Sequence, residues 1–240
     1  MNKKPVLPTK EILLVLRHPQ VIPYIWSRQQ VVKRIVKAET LRSQSEWVTK
    51  VRQARTLAEL VKLSNVHWTF QQALLYFVTR FKKPNVVVET GVNYGTSSAL
   101  ILQALEDNGV GVLYSIDLPS VTYEAPFKRD YKDLQLPKGT STGFAVPPRP
   151  RHRWRLIIGD AKVELPKLLN AIGKIDMFYH DSMHTYDFMT FEYETAYPFI
   201  RSGGILASDD IHWNTAFDDF CSSHRLEELR FYAKGFATVP

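Results

Sequence analysis

Acids and bases gather in two short stretches of this sequence. In Ile175 to Tyr186, IDMFYHDSMHTY, an apolar run is followed by Asp181, Ser182 and His184; further on, Ile205 to Ser208 runs into Asp209 and Asp210. If these runs are neighbouring strands, their ends lie about 5 Å apart, and three carboxylates converge. Like charges that close are unfavourable without a cation, and an oxygen ligand set with room for water suits magnesium or another divalent ion. Taken singly, Asp181 could cap the next helix, and Asp209 with Asp210 could be a solvated turn. Recurrence of acids at the ends of successive strands favours a site.

The second chemical stretch is Val86 to Thr96, VVVETGVNYGT. Three consecutive β-branched residues suit a parallel strand covered on both faces. Gly91 and Gly95 let the chain turn and approach a ligand where a Cβ would collide, although two glycines alone often serve only a turn. Thr96, Ser97 and Ser98 are helix-capping types, followed by apolar spacing at Leu100, Ile101, Leu102 and Leu105. A second strand, Val110 to Ile116, ends at Asp117, and a third, Leu156 to Ile158, runs into Gly159 and Asp160. An acid in the place of Asp117 can take both hydroxyls of a ribose. The glycine order is Gly-x-x-x-Gly and differs from the dinucleotide fingerprint.

Together these residues resemble the S-adenosylmethionine site of class I methyltransferases. The resemblance implies that Glu89, Gly91, Asn93, Tyr94, Gly95, Asp117 and Asp160 hold that cofactor. Asp-x-x-His after the fourth strand and an acidic pair after the fifth are similar to the metal-dependent O-methyltransferases, among them catechol and macrolide-sugar enzymes. This likeness covers about Gln71 to Val239. It implies that Asp181, Asp209 and Asp210 ligate Mg²⁺ or another divalent cation, and that His184 is the general base. A cation-bound hydroxyl has a lowered pKa, and a neutral imidazole can then accept its proton. His180, His212 or Tyr186 could substitute for His184, or His184 could merely orient a ligand. Asp210 stands where Asn is usual in the catechol pattern, and His184 occupies the place where a lysine base is not available. Both departures move the reading from catechols towards sugars and other vicinal hydroxyls.

The elements that must position these groups follow from apolar spacing. Helical spacing over Gln71 to Phe81 leads into the first strand; helices also follow Thr96, span Glu192 to Ile200 and span Ala216 to Ser222. Leu229 to Val239 reads as two short strands around Lys234 and Gly235, with no evident chemistry. The expected fold is α/β: a Rossmann-like doubly wound, mostly parallel seven-stranded sheet with a C-terminal antiparallel hairpin and an N-terminal helical appendage. Residues 1–65 are expected to form a basic helical appendage and 66–240 the methyltransferase domain. Within the latter, residues 118–152, rich in proline, aromatic and basic residues, are expected to form a substrate cap. Arg149, Arg151, Arg153 and Arg155 either hold an anion or line an exposed strand edge. Trp213 and Asn214 could line the acceptor pocket, or Trp213 could pack beneath the following helix.

Composition bounds the rest. A chain of 240 residues with 45% hydrophobic positions can bury one substantial core. Its single cysteine, Cys221, rules out an intramolecular disulfide framework, and neither a secretory leader nor a membrane-spanning run is visible, so a cytoplasmic location is expected. A net charge of +7 favours anionic partners in general. The expected partner is a small hydroxylated substrate, possibly anionic, and a homo-oligomer could form through the N-terminal segment. Nucleic acid is a weaker candidate: the fourth strand lacks the Asn/Asp-Pro-Pro-aromatic sequence of amino-directed enzymes, and no Lys-Asp-Lys-Glu set is evident. An NAD-dependent dehydrogenase leaves the acids after strands four and five unexplained. A non-catalytic binding protein retaining the fold is the remaining alternative.

Overall fold

The protein was analysed as a computed structural model, which describes residues 74–76, 78–118, 136, 141–144, 146–231 and 233–240. The expected appendage and much of the expected cap lie outside the described residues. Seven strands form one sheet: β1 (Val86–Thr90), β2 (Val112–Asp117), β3 (Trp154–Ile158), β4 (Ile175–His180), β5 (Ile200–Ser208), β6 (Glu227–Phe231) and β7 (Lys234–Thr238). Their order is β3-β2-β1-β4-β5-β7-β6. Strands β1 to β5 are parallel, and β7 runs antiparallel to both β5 and β6. The expected doubly wound sheet with its closing hairpin is the fold observed.

Four helices complete the described connections: α1 (Thr96–Asn108), α2 (Ala161–Ile172), α3 (Tyr186–Ala196) and α4 (Ala216–Ser223). Strand alternation divides the apolar residues between two cores. Val88, Phe178, Leu206 and Ala237 face one core, which α2, α3 and α4 complete with Leu165, Tyr193 and Phe217. Val87, Met177, Tyr179, Ala207 and Phe236 face the other, which α1 and Leu75 complete. Both faces of the central strands are therefore dry, which is why their sequences read as unbroken apolar runs.

Several boundaries differ from the sequence reading. Strand β5 begins at Ile200, where helix was expected, because α3 stops at Ala196 and one turn of 3₁₀-helix over Tyr197–Phe199 delivers the chain to the sheet. The N-cap of α3 is Thr185, so Asp181 does not cap it. The N-cap of α1 is Gly95, leaving Ser97 and Ser98 buried inside its first turn.

Candidate active site

Backbone hydrogen bonds continue the parallel ladder past the strand ends and align them. Gly159 N donates to Asp117 O, Gly91 N to Ile116 O, Asp181 N to Thr90 O and Asp209 N to His180 O, at 2.8 to 2.9 Å. The carboxyl ends of five strands thus lie along one edge. The sheet reverses its winding between β1 and β4, and in doubly wound folds such a switch point opens the ligand crevice. The glycine loop and Asp181 flank that point.

The loop after β1 is held from several sides. Asp117 accepts from Val92 N (3.1 Å), Asn93 N (3.3 Å) and Thr142 Oγ1 (3.2 Å). Burial raises the Asp117 pKa above its ordinary value, against these hydrogen bonds. Gly91 has φ +82°, and a Cβ there would lie 1.9 Å from the Asp181 carbonyl oxygen; at Gly95, with φ +92°, it would meet Gly143 and Val146 at 2.8 Å. Close approach of the chain to itself, and not only of a ligand, therefore demands both glycines. Asn93, with φ +49°, leaves its Oδ1 buried without a partner. Asp160 caps α2 by accepting from Lys162 N at 2.8 Å, and lies exposed at the end of β3.

Glu89 occupies a different position from the one expected. It is fully buried beneath α1, where Ser97 donates to Oε1 (2.7 Å) and Ser98 and Ser115 donate to Oε2 (2.6 Å each). Burial among neutral hydroxyls pushes its pKa up to about 7, despite the hydrogen bonds. Its oxygens are taken by Ser97, Ser98 and Ser115 and hold the strands to the helix.

Across the switch point, His184 Nε2 is buried without a hydrogen-bond partner and lies 4.0 Å from both Asp181 Oδ1 and Asp210 Oδ2. The imidazole is 7% exposed; Asp181 and Asp210 keep 27% and 32%. Burial, reinforced by neighbouring His180, pushes the His184 pKa down to about 3, so the ring is neutral at pH 7. Trp213, 51% exposed, leans on His184 with ring centroids 5.3 Å apart. Burial and the Asp209 charge raise the Asp181 pKa, and the same causes lift Asp210 to about 6. Both carboxyls would gain from a nearby positive charge.

Asp209 is oriented elsewhere. Its Oδ1 accepts from Asp210 N (2.9 Å), and its Oδ2 accepts from Lys234 Nζ (2.8 Å) and Tyr179 OH (3.3 Å). Burial opposes its charge, but the Lys234 ammonium outweighs that and holds the carboxyl below its ordinary pKa. Among the described residues, no group of three or more His, Cys, Asp or Glu side chains is already arranged to hold a metal ion.

The family model for the methyltransferase domain matches residues 88–211, just over half of the chain. This chain belongs to the methyltransferase family. Solved structures agree in fold. The methyltransferase PaMTH1 of Podospora anserina, solved with S-adenosylhomocysteine bound, is 15% identical, with a TM-score of 0.54 over 99% of this chain and 100% of its own. The calicheamicin methyltransferase CalS11 is 17% identical, with a TM-score of 0.53 over 85% of this chain and 91% of its own. The O-methyltransferase TomG of Streptomyces achromogenes is 14% identical, with a TM-score of 0.50 over 98% and 99%. A search of curated proteins gave no match.

In this methyltransferase the expected residues fall into two groups on one edge. Gly91, Asn93, Tyr94, Gly95, Asp117 and Asp160 lie at the ends of β1, β2 and β3; Asp181, His184, Asp209 and Asp210 follow β4 and β5. Three contributors escaped the sequence reading. Lys234 reads in the sequence as the point between two short strands, without chemistry, whereas it opens β7, fully buried beside Asp209. Glu192 looks like a surface acid of α3, yet it is buried, receives Thr90 Oγ1 (2.6 Å) and Ser182 Oγ (2.9 Å), and lies 2.5 Å from His180 Nδ1. Thr142 joins Asp117, while Gly143 N donates to Asn93 O (2.8 Å) and Phe144 meets the Tyr94 ring edge-on. The returning end of the expected cap thus packs on the glycine loop. The nearby arginines serve the protein: Arg149 and Arg153 pair with Glu106, Arg151 donates to Val146 O and Gly143 O, and Arg155 to His152 O and Trp154 O. They flank β3, an edge strand, in keeping with the strand-edge alternative.

Proposed function

We propose that this methyltransferase uses S-adenosylmethionine to methylate a hydroxyl of a small molecule, such as a sugar or polyhydroxylated natural product, with the help of a divalent cation. The observation that carries this reading is the neutral, unpartnered His184 Nε2 between two carboxylates on the same edge as the glycine loop. The unpartnered Asn93 Oδ1 and the Asp117 carboxylate fit a polar nucleoside-like donor. The carboxylates after β4 and β5 fit a hard cation, which Asp181 and Asp210, with Asp209 beside them, would hold. Bound there, the donor supplies an electrophilic methyl group, and the cation makes a hydroxyl more acidic.

The chain's own part is to receive a proton and to position. In the tautomer that leaves Nε2 unprotonated, His184 would take the hydroxyl proton as the oxygen gains the methyl group. The Trp213 ring lies against the imidazole, with centroids 5.3 Å apart. The aligned strand ends hold donor and acceptor sites in register, which lowers the entropic cost of bringing two reactants together. CalS11 is described as a TDP-rhamnose 3'-O-methyltransferase, and TomG as an O-methyltransferase of tomaymycin synthesis solved with S-adenosylmethionine. Their substrates are the reason to begin acceptor screening with glycosides and natural-product hydroxyls.

Calorimetric titration of S-adenosylmethionine and Mg²⁺ tests the reading, on wild type and on a double variant, Asp181→Ala with Asp210→Ala. Wild type is expected to bind both, and the variant only the methyl donor. Donor binding without metal binding in either protein would leave His184 as a base acting alone, a second reading favoured by the engagement of Asp209 with Lys234. Failure to bind the donor would refute the proposal.

A further inference from the structure

Lys234 is the only fully buried lysine or arginine among the described residues. An ammonium removed from water is costly unless paired and hydrogen-bonded, so its location calls for a cause. The antiparallel register supplies the geometry: Ser208 pairs with Gly235, which sets the next residues outward, Asp209 and Lys234, opposite one another. Nζ donates to Tyr179 OH at 2.7 Å and lies 2.8 Å from Asp209 Oδ2, while Tyr179 OH donates to the same oxygen. Two donors use both lone pairs of Oδ2. The other oxygen accepts from Asp210 N, in a residue held at φ +46°. Asp209 thereby fixes the backbone that carries the Asp210 side chain. His184 Nε2, more than nine-tenths buried and unpartnered, approaches Asp181 and Asp210 at equal distance.

We propose that Lys234 is a built-in cation that withdraws Asp209 from metal ligation, so that Asp181 and Asp210 are the carboxylates that bind a divalent ion and Asp209 is a positioning residue. The cation in this assignment rests on the function proposed above. Lys234 and a metal ion are alternatives at Asp209: whichever is present satisfies the buried carboxylate. Removal of the ammonium frees Asp209 to join the site, and the cation then binds more tightly.

The test is Mn²⁺ binding by the full-length chain, read from the electron paramagnetic resonance signal of the free ion, which does not depend on turnover. Asp209→Asn is expected to change Mn²⁺ affinity by less than about threefold, while Asp181→Asn and Asp210→Asn each weaken it by about tenfold or more. Lys234→Met is expected to tighten it about tenfold. Circular dichroism monitors folding, and if Lys234→Met does not fold, the Asp209→Asn comparison decides alone. Loss of binding in Asp209→Asn equal to that in Asp181→Asn overturns the proposal and leaves metal dependence standing. Mn²⁺ binding by Lys234→Met but not by wild type overturns the proposal together with metal dependence, because Asp181 and Asp210 of the natural sequence would then bind no divalent ion. Binding by neither protein overturns both.

Discussion

Replacing Glu89 by Gln should change how the stability of this methyltransferase depends on pH. The side chain is fully buried, its partners are three neutral serine hydroxyls, and its pKa rises from 4.5 to about 7 in the fold. A folded-state pKa above the unfolded value means that the native protein binds the proton more tightly. The contribution of Glu89 to stability is then fully present below pH 4.5 and is lost as the pH rises through about 7. At 1.36 kcal/mol per pH unit, the ionised wild type gives up about 3 kcal/mol by pH 8. Gln has the same shape, carries no charge and retains an acceptor for the hydroxyls, while all other titrating groups are shared by the two proteins. Urea unfolding of wild type and Glu89→Gln, followed by circular dichroism from pH 5 to 8, isolates the difference. The stability of the variant relative to wild type should improve by about 3 kcal/mol across that range. A difference that stays flat with pH would refute the argument, since it would mean that Glu89 does not titrate there.

Three further outcomes follow from the site geometry. Gly91→Ala would put a methyl group 1.9 Å from the Asp181 carbonyl oxygen at φ +82°; a stability loss of about 3 kcal/mol or more in urea unfolding is expected, and a soluble variant should not bind S-adenosylmethionine. At Gly143, with φ +70°, an added Cβ would lie 2.1 Å from Trp154 Cη2. Gly143→Ala should therefore dislodge the segment that covers the glycine loop and weaken donor binding about tenfold by calorimetry. His184→Gln should lower methyl transfer to a glycoside acceptor about a hundredfold or more while leaving donor affinity within about threefold, because it removes a base and not a donor contact. Equal losses in both quantities would assign His184 to donor binding instead.

The central strands were legible because burial on both faces leaves a continuous apolar run, and the candidate acids were legible because they close those runs. Asp181, His184 and Asp210 meet where the sequence put them. Roles set by three-dimensional pairing were not legible. Ser97 and Ser98 have the composition of a helix start, but Gly95 takes the cap and the hydroxyls turn to Glu89. Gly91 and Gly95 suggest room for a ligand, whereas the backbone of Asp181 and Ser182, just past β4, and the segment around Gly143 occupy that space. Glu192 and Lys234 are charged residues inside the protein, and no periodicity marks such a position. The partners of Lys234 stand 25 and 55 residues earlier. The pairing of β4 with β5 and of β5 with β7 brings them together, and those registers are a property of the assembled sheet.

Vectorial synthesis gives the Asp209 to Lys234 pairing a temporal side. A ribosome delivers the acids at positions 181, 209 and 210 before the lysine that neutralises one of them. A chain that docks β5 on β4 before β7 has added carries Asp209 without its counter-charge. Completion of the site is therefore tied to arrival of the closing hairpin, and a product arrested before Lys234 would expose the open edge of β5 to chaperones and proteases.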